Sequence, residues 1–424
     1  MERKMNRFWA LLAVLALVVA ACGGGGDGAS EAPDATEAPG ATEAPDATEA
    51  PDATEAPDDG GAAALPGEGI TLNMGRADWS TGYFQAYVYE LVLEELGYDV
   101  TDPSQTELGP SLAYLGMAQG DFDFWVNSWY PGHDSWLEAE LPDGTTVGDH
   151  LVKAGAVFEG GGIQGWLIEK NFADKYDLKT MEDFNNNPEA IAEYDANDPN
   201  PGNGVADIYG CQESFTCDNM IQNMIAFGGW DNIQQAVAGY DTMFAEAESK
   251  VADGKPIIIY TWTPSTYVAR LIPGQNVYWL GTESVLDDSN PANQDGGAGH
   301  SQIVGPTGND SFVPIKPEQC PAAAEPGLID DALRQDDDGG NCPMGWVPAT
   351  ITPTVNAEVY EANPAFAYVL ENLALPVVDV SLATVAADAA GGTEDAYRAE
   401  AEKWIAENRD LVDSVIEGAL AAAG

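Results

Sequence analysis

Beyond an apolar opening and a long polar stretch, the chain alternates between two rhythms, one of period two and one of period 3.6. Residues 69–74 alternate as a strand does, and residues 82–96 carry Phe84, Tyr87, Val88, Leu91 and Val92 at helical spacing. Gly97 follows at once and suits the left-handed turn that closes a helix. Residues 98–101 predict a second strand, 112–119 a short helix and 122–127 a third strand. Strand and helix in alternation predict an α/β lobe around a doubly wound sheet. The third strand would deliver Trp129 to the carboxyl end of that sheet, where open α/β sheets hold their ligands.

The alternation continues with a strand over 163–168, helices over 171–177, 219–228 and 240–252, and a strand over 256–262. Residues 320–342 read as an irregular insertion between two Cys, and 365–372 and 393–420 as amphipathic helices that close the chain. Some 360 residues of ordinary globular composition exceed one small core, so two lobes are expected.

The first 66 residues belong to neither lobe. Arg3, Lys4 and Arg7 precede an apolar run over 8–19, then Ala20 and Ala21 precede Cys22, which looks like a bacterial lipoprotein signal over 1–21. Processing would leave Cys22 as a lipid-bearing N-terminus. The run is too short to span a bilayer, so anchorage to a membrane face is expected. From Cys22 to residue 66 the chain is Gly-rich and then repeats Pro-Asp-Ala-Thr-Glu-Ala-like units with period six from Pro33 to Pro57. No aromatic residue falls in it, so nothing offsets the entropy of ordering it. As a coil its roughly 43 linker residues reach on the order of 35–40 Å. It reads as a tether.

Charge narrows the partners. The chain holds 70 acidic and 16 basic residues, a net of −54. Nucleic acid and anionic lipid are poor partners for such a surface, and salt would relieve its self-repulsion. Apart from Cys22 there are four Cys, at 211, 217, 320 and 342. An even number in an exported chain favours two disulfides, with Cys211–Cys217 and Cys320–Cys342 the simplest of three pairings. No close Cys-x-x-Cys pairs favour zinc instead.

Three segments place large rings in turns or loops: Trp129-Tyr130-Pro131, Phe215 between Cys211 and Cys217, and Tyr260-Thr261-Trp262-Thr263-Pro264. Rings gathered from distant positions can cage a cation that has no proton to donate. These segments, with Leu96-Gly97-Tyr98, the run from Ala206 to Cys211 and the run from Asn276 to Leu280, occur in an order that resembles the glycine betaine/proline betaine-binding proteins of ABC importers. The resemblance covers nearly all of the chain from residue 67 on.

It implies a two-lobed periplasmic-binding-protein fold of type II, with hinge strands that close on one small solute. Lobe one would take 67–173 plus 346–424 and lobe two 174–345. It also implies that Trp129 faces Phe215 and Trp262 across the cleft, where the family usually has Trp at the Phe215 position. Trp79 and Trp136 are nearby rings able to compensate for the smaller face. His133 matches the position that meets the ligand's carboxylate, and a permease is the implied partner.

The residues themselves add a second anion site. Phe215, Thr216 and Cys217 precede the apolar pattern of Met220, Ile221, Met224 and Ile225, so they should form a helix N-terminus with free N–H groups. Asp218 could cap that helix and compete for them. Trp279, on an apparent strand, reads as core. The acidic run at Asp195, Asn197, Asp198, Asn203 and Asp207 departs from calcium-loop spacing and reads as Asx turns. Only three His occur, and no nucleophile elbow, His-Glu-x-x-His or phosphate loop accompanies them. A binding protein without cofactor or metal is expected, not an enzyme. Choline or carnitine is the alternative solute, and an adhesin a more distant reading.

Overall fold

The structure, a computed structural model, describes residues 64–213, 215–282, 312–314, 317–320, 341–346 and 348–424. The signal, Cys22, the tether up to residue 63, Ser214 and most of the stretch between Cys320 and Cys342 lie outside the described residues.

One ten-stranded sheet runs through the molecule. Its first half holds Glu107–Leu108, Met74–Ala77 and Phe124–Tyr130, which pair in parallel in that order. Its second half holds Ile258–Thr263, Ala206–Tyr209 and Ile233–Ala236, again parallel. Between the halves lie two long strands, Ala349–Asn356 and Phe158–Glu169, antiparallel to each other and to their outer neighbours. Leu151–Lys153 and Val277–Leu280 extend these central strands by further antiparallel pairs. Each half is thus a parallel sheet of the kind that helices cover on both faces.

The predicted first strand is broken. Thr71–Leu72 pairs with Asp99–Val100 in a separate two-stranded sheet, and Met74–Ala77 alone joins the main one. Asn73 makes the break, because its N–H donates to the Asp123 carboxylate at 2.6 Å and its carbonyl accepts from Asp123 N–H at 2.7 Å. The strand expected over 98–101 forms as Asp99–Val100 outside the main sheet, whose edge beside Met74–Ala77 is Glu107–Leu108.

The helix Ser80–Glu95 closes as expected, with Gly97 at φ +87°. It is buried on most of its surface because the helix Glu394–Glu407 covers its outer side. There Tyr83 meets Tyr397 edge-on at 5.2 Å, and Arg398 pairs with the buried Glu90 at 2.6 Å. The single closing helix expected over 393–420 is two, Glu394–Glu407 and Arg409–Ala423. Asn408 separates them, its amide donating to the Trp404 carbonyl at 2.9 Å, a local bond that competes with helix propagation. Among the described residues no single helix is long and apolar enough to cross a membrane.

Both expected cysteine pairs are bonded, with Cα separations of 5.8 Å for Cys211–Cys217 and 6.3 Å for Cys320–Cys342. The Asp195 run forms Asx turns: its carboxylate accepts from the N–H groups of Gly202, Asn203 and Gly204, and Asp198 accepts from Asn200 and Asp207. Among the described residues no three His, Cys, Asp or Glu converge as a metal site. Trp279 is core, in the strand Val277–Leu280.

Candidate functional site

The first half of the sheet supplies one wall of a cavity. Every residue of Phe124–Tyr130 is buried, and Trp129 lies at its carboxyl end. Two close approaches set the wall's shape. A Cβ on Gly162 would stand 2.8 Å from the Trp129 ring and 3.0 Å from Ala349 Cβ. One on Gly132 would stand 2.9 Å from Met220 Cε, so Gly132 lets the two halves of the fold approach. After the cis Tyr130–Pro131 peptide the chain turns back, and His133 N–H donates to the Trp129 carbonyl at 2.8 Å.

His133 is held in one protonation state. Its Nδ1 accepts from Trp129 N–H at 3.1 Å and lies 2.8 Å from the Tyr114 hydroxyl. Because a backbone N–H can only donate, Nδ1 carries no proton, and the neutral ring bears its hydrogen on Nε2. Burial lowers its pKa to about 3, with the ring stacked on Trp125 at 6.0 Å.

The second half supplies the facing wall. Trp262 lies near the end of Ile258–Thr263, opposite Gln164 in the paired strand. Tyr240 at 4.6 Å, Tyr267 at 5.1 Å and Tyr260 at 5.9 Å surround its ring. The helix Thr216–Phe227 begins beside it, with Phe215 at the N-cap and no side chain capping it. Asp218 does not compete for the helix N–H groups, as its carboxylate accepts from the amides of Gln222 at 2.9 Å and Gln235 at 2.5 Å. The N–H groups of Thr216 and Cys217 have no acceptor among the described residues. Cys217 is tied back to Cys211, which fixes the loop before the helix.

All six residues expected at the site, Trp129, His133, Phe215, Thr216, Cys217 and Trp262, line this one cavity, which holds about 430 Å³ of empty space partly open to solvent. Trp79 lines it as well. Trp136 does not; its indole N–H donates to Thr216 Oγ1 at 2.8 Å, linking a residue next to His133 to the opposing helix. Among the described residues no Lys or Arg is in the lining. The space is therefore bounded by aromatic faces, with neutral donors at one side.

A wider space of about 1070 Å³ adjoins it and shares Trp79, Phe215 and Trp262. Asp78, Asp241, Asp388 and Arg270 are among the residues that line it. Burial, chiefly, raises the Asp78 carboxyl to about 6. Sequence reasoning did not find Gln164 or Tyr260, whose hydroxyl donates to Gln164 Oε1 at 2.7 Å, nor Asn127 beneath Trp129. Tyr260 stood in a recognised motif; Gln164 had no signal beyond its place on a predicted strand.

Residues 70–407 match the family described as the substrate binding domain of ABC-type glycine betaine transport systems. The glycine betaine/proline betaine-binding periplasmic protein of Escherichia coli K12 is 28% identical over 362 residues, covering 85% of this chain and 93% of that protein. Two solved structures share the fold at low identity. Lactococcal OpuAC, closed and complexed with glycine betaine, has a TM-score of 0.52 at 13% identity, covering 82% of this chain and 99% of its own. An ABC-transporter choline binding protein in complex with choline has a TM-score of 0.54 at 16% identity, covering 83% and 96%. The two-lobed periplasmic-binding-protein architecture is common to them.

Proposed function

The chain belongs to the family of substrate-binding domains of ABC-type glycine betaine transport systems, and from that premise we propose that it captures glycine betaine or proline betaine between its lobes and delivers it to a permease. The family is one of transport proteins, not a class of enzymes. The observation that carries the reading is the convergence of Trp129, Phe215 and Trp262 with His133 and the Thr216–Cys217 N–H groups on one cavity.

A betaine needs opposite things at its two ends. Its trimethylammonium takes the negative faces of Trp129, Phe215 and Trp262, each contributing about 0.5–2 kcal/mol when dry. Its carboxylate takes the N–H groups at the start of Thr216–Phe227, where the helix dipole adds positive potential, and the Nε2–H of neutral His133 from the other wall. The Cys211–Cys217 bridge lowers the ordering cost of that loop on binding. Lobe one comprises 67–173 and 346–424, and lobe two 174–345. The central strands Phe158–Glu169 and Ala349–Asn356 carry the chain between them and act as the hinge.

Cys22 carries lipid on the outer side of the cell membrane, and the proline-spaced tether lets the lobes reach the permease. The solute is taken up as an osmoprotectant. Choline or carnitine is the second reading; among the described residues the lining has no cationic side chain for a carboxylate, which favours choline. Calorimetric titration with glycine betaine and choline, at low and high salt, tests both. Saturable one-to-one binding of betaine with choline much weaker is expected. Binding of choline alone would move the solute, and heat with neither would end the cage assignment.

A further inference from the structure

Trp79 takes a place in the fold for which its local role gives no reason. It is the N-cap of the helix Ser80–Glu95, in extended conformation (φ −141°, ψ 150°), and it makes no side-chain cap. Ser, Thr, Asp or Asn is the usual residue there, because its side-chain oxygen accepts from a backbone N–H of the first turn. The residue is nonetheless only 8% exposed and lines the cavity beside Trp129 and Phe215.

Its orientation is fixed from three directions. The indole N–H donates to Asn127 Oδ1 at 3.0 Å, and the ring meets Trp125 edge-on at 5.7 Å and Phe215 edge-on at 5.3 Å. The same Asn127 oxygen accepts from Trp129 Nε1–H at 2.7 Å. Two indole donors converging on one atom identify it as the amide oxygen, and the Asn127 Nδ2 accordingly donates to Gln85 Oε1 at 2.5 Å. Asn127 is fully enclosed, so no water replaces it.

Resting on the binding reading above, we infer that Trp79 is a fourth wall of the cation cage. Asn127 is the positioning residue that sets the Trp79 and Trp129 planes together, and Trp79 is what makes a small ring necessary at 215. A second fused ring at 215 would have to occupy space that Trp79 already fills at 5.3 Å. The face that Phe215 lacks is supplied by Trp79. The selectivity of the site therefore lies in the Trp79–Phe215 pair and not in either ring alone.

Titration of the purified protein with glycine betaine tests this, with a thermal melt for each variant. Trp79→Ala should weaken binding roughly tenfold, as expected for one dry aromatic face. Trp79→Phe keeps a ring against Trp125 and should lose less, which keeps the test open if the Ala variant folds poorly. Asn127→Leu should weaken binding by a similar factor. Asn127→Asp, whose carboxylate can still accept from both indoles, should recover most of it, which a purely space-filling role would not produce. Phe215→Trp should weaken binding in the native background and strengthen it in the Trp79→Ala background. Binding by Trp79→Ala within twofold of the native protein, while Trp262→Ala loses it, would overturn the fourth wall and leave the cage. Binding unchanged in both would overturn the cage itself.

Discussion

The wall from the first half of the sheet is braced by side-chain hydrogen bonds, and the wall from the second half by ring packing and a covalent bridge. On the first, Asn127 fixes Trp129, and Trp129 N–H together with Tyr114 fixes His133. On the second, three tyrosines hold Trp262 and Cys211–Cys217 holds the helix start. Directional bonds set the angle of a ring, and breaking one leaves a buried polar group without its partner. Ring packing is less directional and responds to lost area and volume. Substitutions should therefore act on orientation in the first wall and on contact area and loop order in the second.

The largest effect should come from the second wall. Trp262→Ala removes a whole face and the centre of a ring cluster, and affinity for glycine betaine should fall roughly thirtyfold by calorimetry, the upper end for one dry face. A large-to-small change in so packed a cluster also costs about 3–5 kcal/mol of stability, visible as an earlier melt. Retained affinity would remove the contrast between the walls.

Replacing Cys211 and Cys217 together by Ser should be milder. The helix N-terminus stays, but its loop must be ordered on binding, so about a tenfold loss is expected, chiefly in association with the carboxylate end. Reductant on the native protein should reproduce it, and choline, lacking the carboxylate, should be affected less. An equal loss for both solutes would place the bridge outside ligand capture.

The smallest effect belongs to His133, and it sharpens the picture through pH. Its pKa is about 3 in the fold and about 6.5 in an unfolded chain. Between those values the unfolded state binds more protons, so this contribution is whole above pH 6.5 and is lost as pH falls toward 3. Denaturant midpoints of His133→Gln should thus fall less steeply from pH 7 to pH 4 than those of the native protein. His133 should add no step to betaine affinity from pH 8 to pH 5, because the neutral ring does not titrate there; in the Asp78→Asn variant, which removes the nearby carboxyl that titrates near 6, affinity should be flat over that range. A step near pH 6.5 that persists in Asp78→Asn would mean that the ring is charged in the cleft.

Much of the site was legible because its rings and donors sit in short motifs at predicted strand and helix ends. Trp129 follows an apolar strand, and Phe215 and Thr216 precede an apolar helical pattern; both signals are local. The braces were not legible. Asn127 reads as one more strand residue until Trp79, 48 positions away, is seen to share its oxygen. Gln164 faces Trp262 only through an antiparallel pairing between strands nearly a hundred residues apart. Asp218 looked like a helix cap, but Gln222 of its own helix and Gln235 from the strand Ile233–Ala236 donate to its carboxylate instead.

Periodicity, turn chemistry and cysteine number are properties of neighbouring residues, so the chain by itself determined the α/β class, most of its helices and strands, and five of the cavity residues, while His133 came from the resemblance to the family. Which strands pair, where Asn73 breaks the first of them and which polar groups satisfy one another depend on distances the chain closes only on folding. A buried donor must find an acceptor wherever packing puts one. The tertiary structure alone therefore decided the planes of Trp79 and Trp129, the protonation of His133 and the partners that take up the Asp218 carboxylate.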